Sequence, residues 1–167
     1  MRLFLALWPQ PDVRAAIAAV GRLIAWPPRA RPTTHAKLHA TLHFLGDVDD
    51  SRLPALRSAL GVSTPLFDLR LDQLQAWPGG LLVLCPSSVP STLMCLHADL
   101  ANRLSAEGLS VEARPFRPHV TLARRAPNAG APPSFPPVHW PVQGHALVCS
   151  TPDGRYAVLQ AWDAARP

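Results

Sequence analysis

Lysine is almost absent: Lys37 is the single lysine among 16 basic residues in a chain of 167. A nucleotide-charged ligase needs a nucleophilic lysine beside a phosphate-binding loop, and Lys37 has no such context. No Gly-rich phosphate loop or dinucleotide fingerprint is present, and no Gly-x-Ser-x-Gly elbow. Cysteine is equally scarce. Cys85, Cys95 and Cys149 are odd in number, far apart and without a Cys-x-x-Cys pair. That excludes a disulfide framework and a zinc ribbon, and points to buried thiols in a reducing compartment. No apolar run approaches the ~20 residues of a membrane span. The apolar opening at residues 3–8 is cut by Pro9 and Pro11, short of the ~7–15 residues of a secretory core. A cytoplasmic location without membrane association is expected. Acidic residues number only 11, giving a net charge of +5. A basic surface favours a polyanion such as nucleic acid, although an Arg-rich coding bias gives the same composition.

Hydrophobic residues make up 48% and charged residues 16%, enough apolar material for one well-cored domain over residues 1–167. Twenty prolines imply many structured loops. Residues 2–8, 38–45, 67–72, 81–84, 117–123, 140–150 and 155–162 read as strands, with Gly46 closing the second. Asp12 is placed to cap a helix carrying Val13, Ile17, Val20 and Ile24 at helical spacing. A second helix starts near Asp49–Ser51 and carries Leu53, Leu56 and Leu60. The strongest helix spans 90–107, with Leu93, Leu96, Leu100 and Leu104 on one stripe and Gly108 ending it. Residues 26–32 and 125–137 read as loops. Alternating strands and helices with hairpin turns fit an α+β fold with antiparallel sheets. A monomer is expected, since no interface signal stands out.

One pair of segments repeats. Leu38-His39-Ala40-Thr41-Leu42 and Pro118-His119-Val120-Thr121-Leu122 both contain His-x-Thr-Leu, 80 residues apart. Strand alternation puts His39 and Thr41 on one face, and His119 and Thr121 on one face, with Leu38, Ala40, Leu42, Val120 and Leu122 turned into a core. If the halves pack about a pseudo-twofold axis, both fronts meet in one cleft. Opening a cyclic phosphodiester needs a base to take a proton from water and an acid to protonate the leaving ribose oxygen. Histidine serves both roles near neutral pH. The hydroxyls of Thr41 and Thr121 can donate to the non-bridging oxygens as charge builds.

These two strands, with their flanks Leu38–Gly46 and Phe116–Arg124, resemble the 2H phosphoesterase superfamily. They look most like its bacterial and archaeal RNA 2′,3′-cyclic phosphodiesterases, historically named 2′-5′ RNA ligases. The resemblance extends to the opening strand and to the strand order. It implies two similar antiparallel-sheet lobes around a central cleft, with helices outside. It implies His39 as proton donor to the ribose 3′ oxygen, His119 as the base that activates water, and a 2′-phosphate product formed without metal or cofactor. Arg124 would hold phosphate or the terminal nucleotide, and Phe44 would contact the base. Both lie five residues after their histidine, the wrong parity for the cleft unless the strand twists, bulges or ends there. Strict alternation puts His43 on the His39 face, lining the cleft or simply solvated.

His35, His39 and His43 recur every fourth residue, which on a helix would be a metal-binding face, but the β-type residues around them favour a strand. His97, His139 and His145 read as structural or exposed. Arg29, Arg31 and Lys37 precede the first motif, and Arg114, Arg117, Arg124 and Arg125 surround the second, a pattern suited to a phosphate backbone. The expected partner is RNA with a 2′,3′-cyclic phosphate end, or a small cyclic nucleotide. Reversible 2′-5′ ligation could run as the reverse reaction. The competing readings are a catalytically silent module that binds RNA ends and a phosphodiesterase for 2′-5′-linked oligonucleotides.

Overall fold

The computed structural model describes residues 1–164. Strands β1 (Arg2–Leu7), β2 (Arg31–Pro32), β3 (Ala40–Asp47), β4 (Phe67–Leu71), β5 (Gln73–Trp77) and β6 (Leu81–Cys85) are followed by β7 (Val120–Arg124), β8 (Val138–Val142), β9 (Gly144–Ser150) and β10 (Tyr156–Asp163). Helices α1 (Pro11–Arg22), α2 (Leu53–Ala59) and α3 (Ser91–Ala106) interrupt them. All named pairings are antiparallel. The fold is α+β, as the alternation of elements predicts.

The large sheet runs β10-β9-β1-β3-β7-β6-β5, and β4 and β8 form a separate ribbon. Its middle is thin. β3 and β7, the strands that carry the repeated motif, touch through one register pair, Ala40 opposite Val120. These residues each follow a motif histidine, so the pseudo-twofold axis passes through this pair. Two wings of antiparallel sheet meet there. Beyond the junction the strands part, and β2 docks on β7 instead.

The core lies on one face. Leu3, Leu5 and Leu7 of β1 are fully buried against Ile17 of α1, Leu93 and Leu100 of α3, and Trp140 of β8. Each such side chain contributes roughly 1.5–3 kcal/mol on leaving water. The opposite face of β1 carries Phe4 and Ala6, which join Ala146 and Val148 in a smaller cluster beside Trp8 and Tyr156. That second face is the floor on which the site is built.

Four local expectations are corrected. Asp12 sits in the first turn of α1 rather than capping it; Gln10 holds the cap position, because Pro11, lacking an N–H, suits the first helical turn. Residues 26–32 are not all loop, since Arg31 and Pro32 form an edge strand on which a missing donor is tolerated. β5 went unrecognised because Gln73 and Gln75, on an edge strand, hide its alternation. The strand expected over 140–150 breaks at Gly144, whose φ is +152°. A Cβ there would lie 2.1 Å from the Trp162 carbonyl oxygen, so only glycine lets the chain leave β8 and enter the main sheet as β9. No helix among the described residues is long and apolar enough to cross a membrane.

Candidate active site

Each motif does what strand alternation requires. Leu38, Ala40, Leu42, Val120 and Leu122 are buried in the core. His39, Thr41, His119 and Thr121 line one cavity of about 860 Å³ on the other face. The two histidines sit one residue ahead of their strands, at Pro118–His119 and Leu38–His39, where the chain is entering the sheet.

Both imidazoles are held in the same way. His39 Nδ1 lies 2.6 Å from the Lys37 carbonyl oxygen, and His119 Nδ1 lies 2.7 Å from that of Arg117. A carbonyl can only accept, so each Nδ1 carries a proton and donates it. In the neutral ring this leaves the Nε2 lone pair available for chemistry. His39 Nε2 lies 3.0 Å from Thr41 Oγ1, whose hydroxyl donates to it while the ring is neutral.

Aromatic rings fix the imidazoles from the sides. Phe4, Trp8 and Tyr156 surround His39 at centroid distances of 4.9, 5.8 and 5.4 Å. Trp77 lies 4.4 Å from His119. Cations lie over the outer aromatic rings: Arg117 over Trp77, Lys37 over Tyr156, and Arg14 over Trp8.

Burial pushes the pKa of His39 below the usual histidine value; its bond to the Lys37 carbonyl opposes that, while the charges of His119, Arg14 and Arg124 add to it. Burial likewise lowers His119, its bond to the Arg117 carbonyl opposes, and Arg117 and Arg124 add to the lowering. Burial and the neighbouring cations thus both favour the neutral form of each imidazole. A bound phosphate anion supplies the charge that favours protonating one of them. A reaction needing one neutral and one protonated histidine has a bell-shaped pH profile. The free-enzyme profile, kcat/KM against pH, is expected to centre below pH 6.5, with the kcat profile displaced upward because the bound anion raises the acid's pKa. A kcat/KM bell centred above 7 would contradict this electrostatic account.

The parity problem at Phe44 and Arg124 is solved by two bulges. On β3, Leu5 pairs with His43 and Ala6 with Thr41, so Leu42 is an extra residue. On β7, Leu82 pairs with Ala123 and Val83 with Thr121, so Leu122 is the extra one. Each bulge shifts the alternation by one. Phe44 then stands opposite Phe4, on the cleft face, half exposed and under the Arg2 guanidinium. Ala123 is thereby turned to the core, and Arg124 lines the cavity.

The same bulge corrects the placement of His43. It does not share the His39 face but stands opposite core residue Leu5, 5% exposed, where Nε2 donates to the His97 carbonyl oxygen at 2.8 Å. Its ring stacks on His97, which stacks on Phe116, both at 4.0 Å, and this column forms one wall of the cavity. Burial and neighbouring His43 push the His97 pKa to about 4. His97 therefore belongs to the cavity wall, which sequence spacing could not reveal because α3 comes from a distant part of the chain.

Trp77, Tyr156, Phe4 and Trp8 were also missed. Tyr156 is the only tyrosine and Trp77 sits in a Trp-Pro-Gly-Gly turn, but neither signal points to a cleft. Of the basic residues flanking the motifs, Arg31, Lys37, Arg114, Arg117 and Arg124 line the cavity, and Arg29 and Arg125 do not. His35, His39 and His43 are not brought to one face; His35 lies in a 3₁₀ turn. Among the described residues no group of three or more His, Cys, Asp or Glu is poised around a metal position. His145 is structural: buried, it accepts from Thr64 Oγ1 at 2.8 Å and donates to the Leu60 carbonyl at 2.9 Å.

Known proteins resemble this chain in sequence and fold. The sequence profile of the 2′-5′ RNA ligase superfamily matches residues 9–149. A protein named RNA 2′,3′-cyclic phosphodiesterase from Thermus thermophilus is 32% identical over 183 aligned positions, covering 96% of this chain and 88% of its own. One of the same name from Escherichia coli is 35% identical over 139 positions, covering 80% and 78%. The crystal structure of Escherichia coli LigT complexed with 3′-AMP superposes with a TM-score of 0.82 at 30% identity, over 99% of this chain and 98% of that one.

Proposed function

The chain belongs to the 2′-5′ RNA ligase superfamily, and from that premise we propose that it hydrolyses 2′,3′-cyclic phosphate ends of RNA to 2′-phosphates. The observation that carries the reading is the matched pair of imidazoles, each with Nδ1 tied to a carbonyl two residues upstream and both lining one cavity.

The proposed reaction is a single in-line displacement. His119 Nε2 takes a proton from water as the water oxygen bonds to phosphorus. The bond from phosphorus to the ribose 3′ oxygen breaks, and protonated His39 delivers its Nε2 proton to that oxygen. The products are a 2′-phosphate and a free 3′ hydroxyl. His119 ends protonated and His39 neutral, and exchange with solvent restores the starting pair. Thr41 and Thr121 donate to the non-bridging oxygens, Arg124 offsets their charge, and Phe44 stacks on the terminal base. His43 lines the cavity wall with His97 and Phe116 and holds that wall in place through its bond to the His97 carbonyl. No step needs a metal or cofactor, since two histidines supply both proton transfers. Ligation through a 2′-5′ bond follows the same in-line path, with a 5′ hydroxyl in place of water attacking phosphorus and the 3′ oxygen again leaving.

A monomer suffices, because every group named comes from one chain. A cytoplasmic setting suits three free thiols and an RNA substrate. The test is a 2′,3′-cyclic mononucleotide incubated with chelator, with 2′- and 3′-phosphate products resolved. Exclusive 2′-phosphate is expected. A 3′-phosphate product would reverse the bond assignment, and turnover abolished by chelator would replace the two-histidine mechanism with a metal-dependent one.

A further inference from the structure

Arg31 lies in the proline-rich segment ahead of the first motif, and β2 brings it directly opposite Arg124 on β7. Cross-strand partners share a face. Both residues are exposed and both line the cavity. Like charges directly opposite one another weaken a strand pair. Neither arginine takes part in an ion pair among the described residues. The pairing is nonetheless built in. The Thr33 N–H donates to the carbonyl of Leu122, the bulged residue of β7, at 2.8 Å, which fixes β2 at the point where β3 and β7 part. An arrangement that costs stability when empty gains when an anion lies between the two guanidiniums.

The two arginines are not equivalent. Arg124 lies on β7 three residues after Thr121 and lines the cavity with both histidines, whose charge it influences, so it is placed with the phosphate that reacts. Arg31 comes from another segment, β2, which docks on β7 where β3 has parted from it, and so stands one strand away from Arg124 on the same cavity face. We propose that Arg31 binds the next phosphate of the RNA chain, the internucleotide diester 5′ to the terminal ribose, and so makes the enzyme prefer an oligonucleotide end over a free cyclic mononucleotide. The inference rests on the cyclic phosphodiesterase reading above.

The experiment compares kcat/KM for cytidine 2′,3′-cyclic phosphate, which lacks a second phosphate, with that for a cytidylyl-cytidine dinucleotide ending in a 2′,3′-cyclic phosphate. Wild type is expected to favour the dinucleotide. In Arg31→Gln the ratio of the two values is expected to fall about tenfold, and the slope of log(kcat/KM) against log salt for the dinucleotide to become shallower by about 0.7, the single-strand counterion value for one contact. The apo melting temperature of Arg31→Gln is expected to rise, since a cross-strand repulsion is removed. An equal fall on both substrates would place Arg31 on the reacting phosphate and overturn the proposal. A ratio equal to that of wild type, whatever the absolute rates, would do the same. If wild type opened neither substrate, the function itself would fail and this inference with it.

Discussion

Replacing His119 or His39 with alanine lowers kcat on a 2′,3′-cyclic mononucleotide by about 10²–10⁴-fold, the usual worth of one positioned acid or base. The two losses should not add. Each proton transfer is useful only when the other occurs, so the double variant should be little slower than the worse single one. Neither ring is part of the main core, so folding should survive, and the melting curve serves as the control. The pH profile separates the roles. Removing the base should abolish the acid limb of the bell, and removing the acid should abolish the alkaline limb. Full activity in either variant would remove that histidine from the chemistry.

The second large effect is expected at the threonines. Thr41→Val and Thr121→Val keep the shape and remove the hydroxyl, and loss of one donor to a developing oxyanion costs about 10²–10³ in kcat. KM should change far less, because the charge is fully developed only in the transition state. At Thr41 a second consequence is expected. Its hydroxyl now donates to His39 Nε2 at 3.0 Å and so stabilises the neutral ring. Valine removes that bond, so the alkaline limb should move upward in Thr41→Val and stay in place in Thr121→Val. If both variants lost only substrate affinity, the hydroxyls would be ground-state contacts and nothing more.

Much of this site was legible because a two-residue period leaves little freedom. Once Leu38, Ala40 and Leu42 were assigned to a core, His39 and Thr41 had to face the other way, and the same held at 118–122. The fold class followed from similar reasoning, and α3 from its leucine stripe. What escaped were features set by contacts between distant segments. The two bulges arise from pairing with β1 and β6, and no local pattern marks Leu42 or Leu122 as supernumerary. Hence Phe44 and Arg124 seemed to point the wrong way, and His43 seemed to point the right way. β5 was lost because an edge strand has no need of an apolar alternation. Gly144 was read as the middle of one strand, when its φ marks a change of sheet.

The axis through Ala40 and Val120 relates the histidines, the threonines, the carbonyls that hold them and the bulges that follow. At the position each bulge turns inward the relation ends, with a ring in one wing and a guanidinium in the other. The cleft thus matches its two imidazoles in how Nδ1 is held, differs in the Thr41 hydroxyl on His39 Nε2, and is one-sided in its grip. Either imidazole is built to give or to take a proton. On the function proposed above, the direction in which a nucleotide lies assigns the roles, base toward Phe44 and phosphate toward Arg124. On that reading the polarity of the reaction is written in two side chains that never touch a proton, and the regiochemistry of the product is a property of binding before it is one of catalysis.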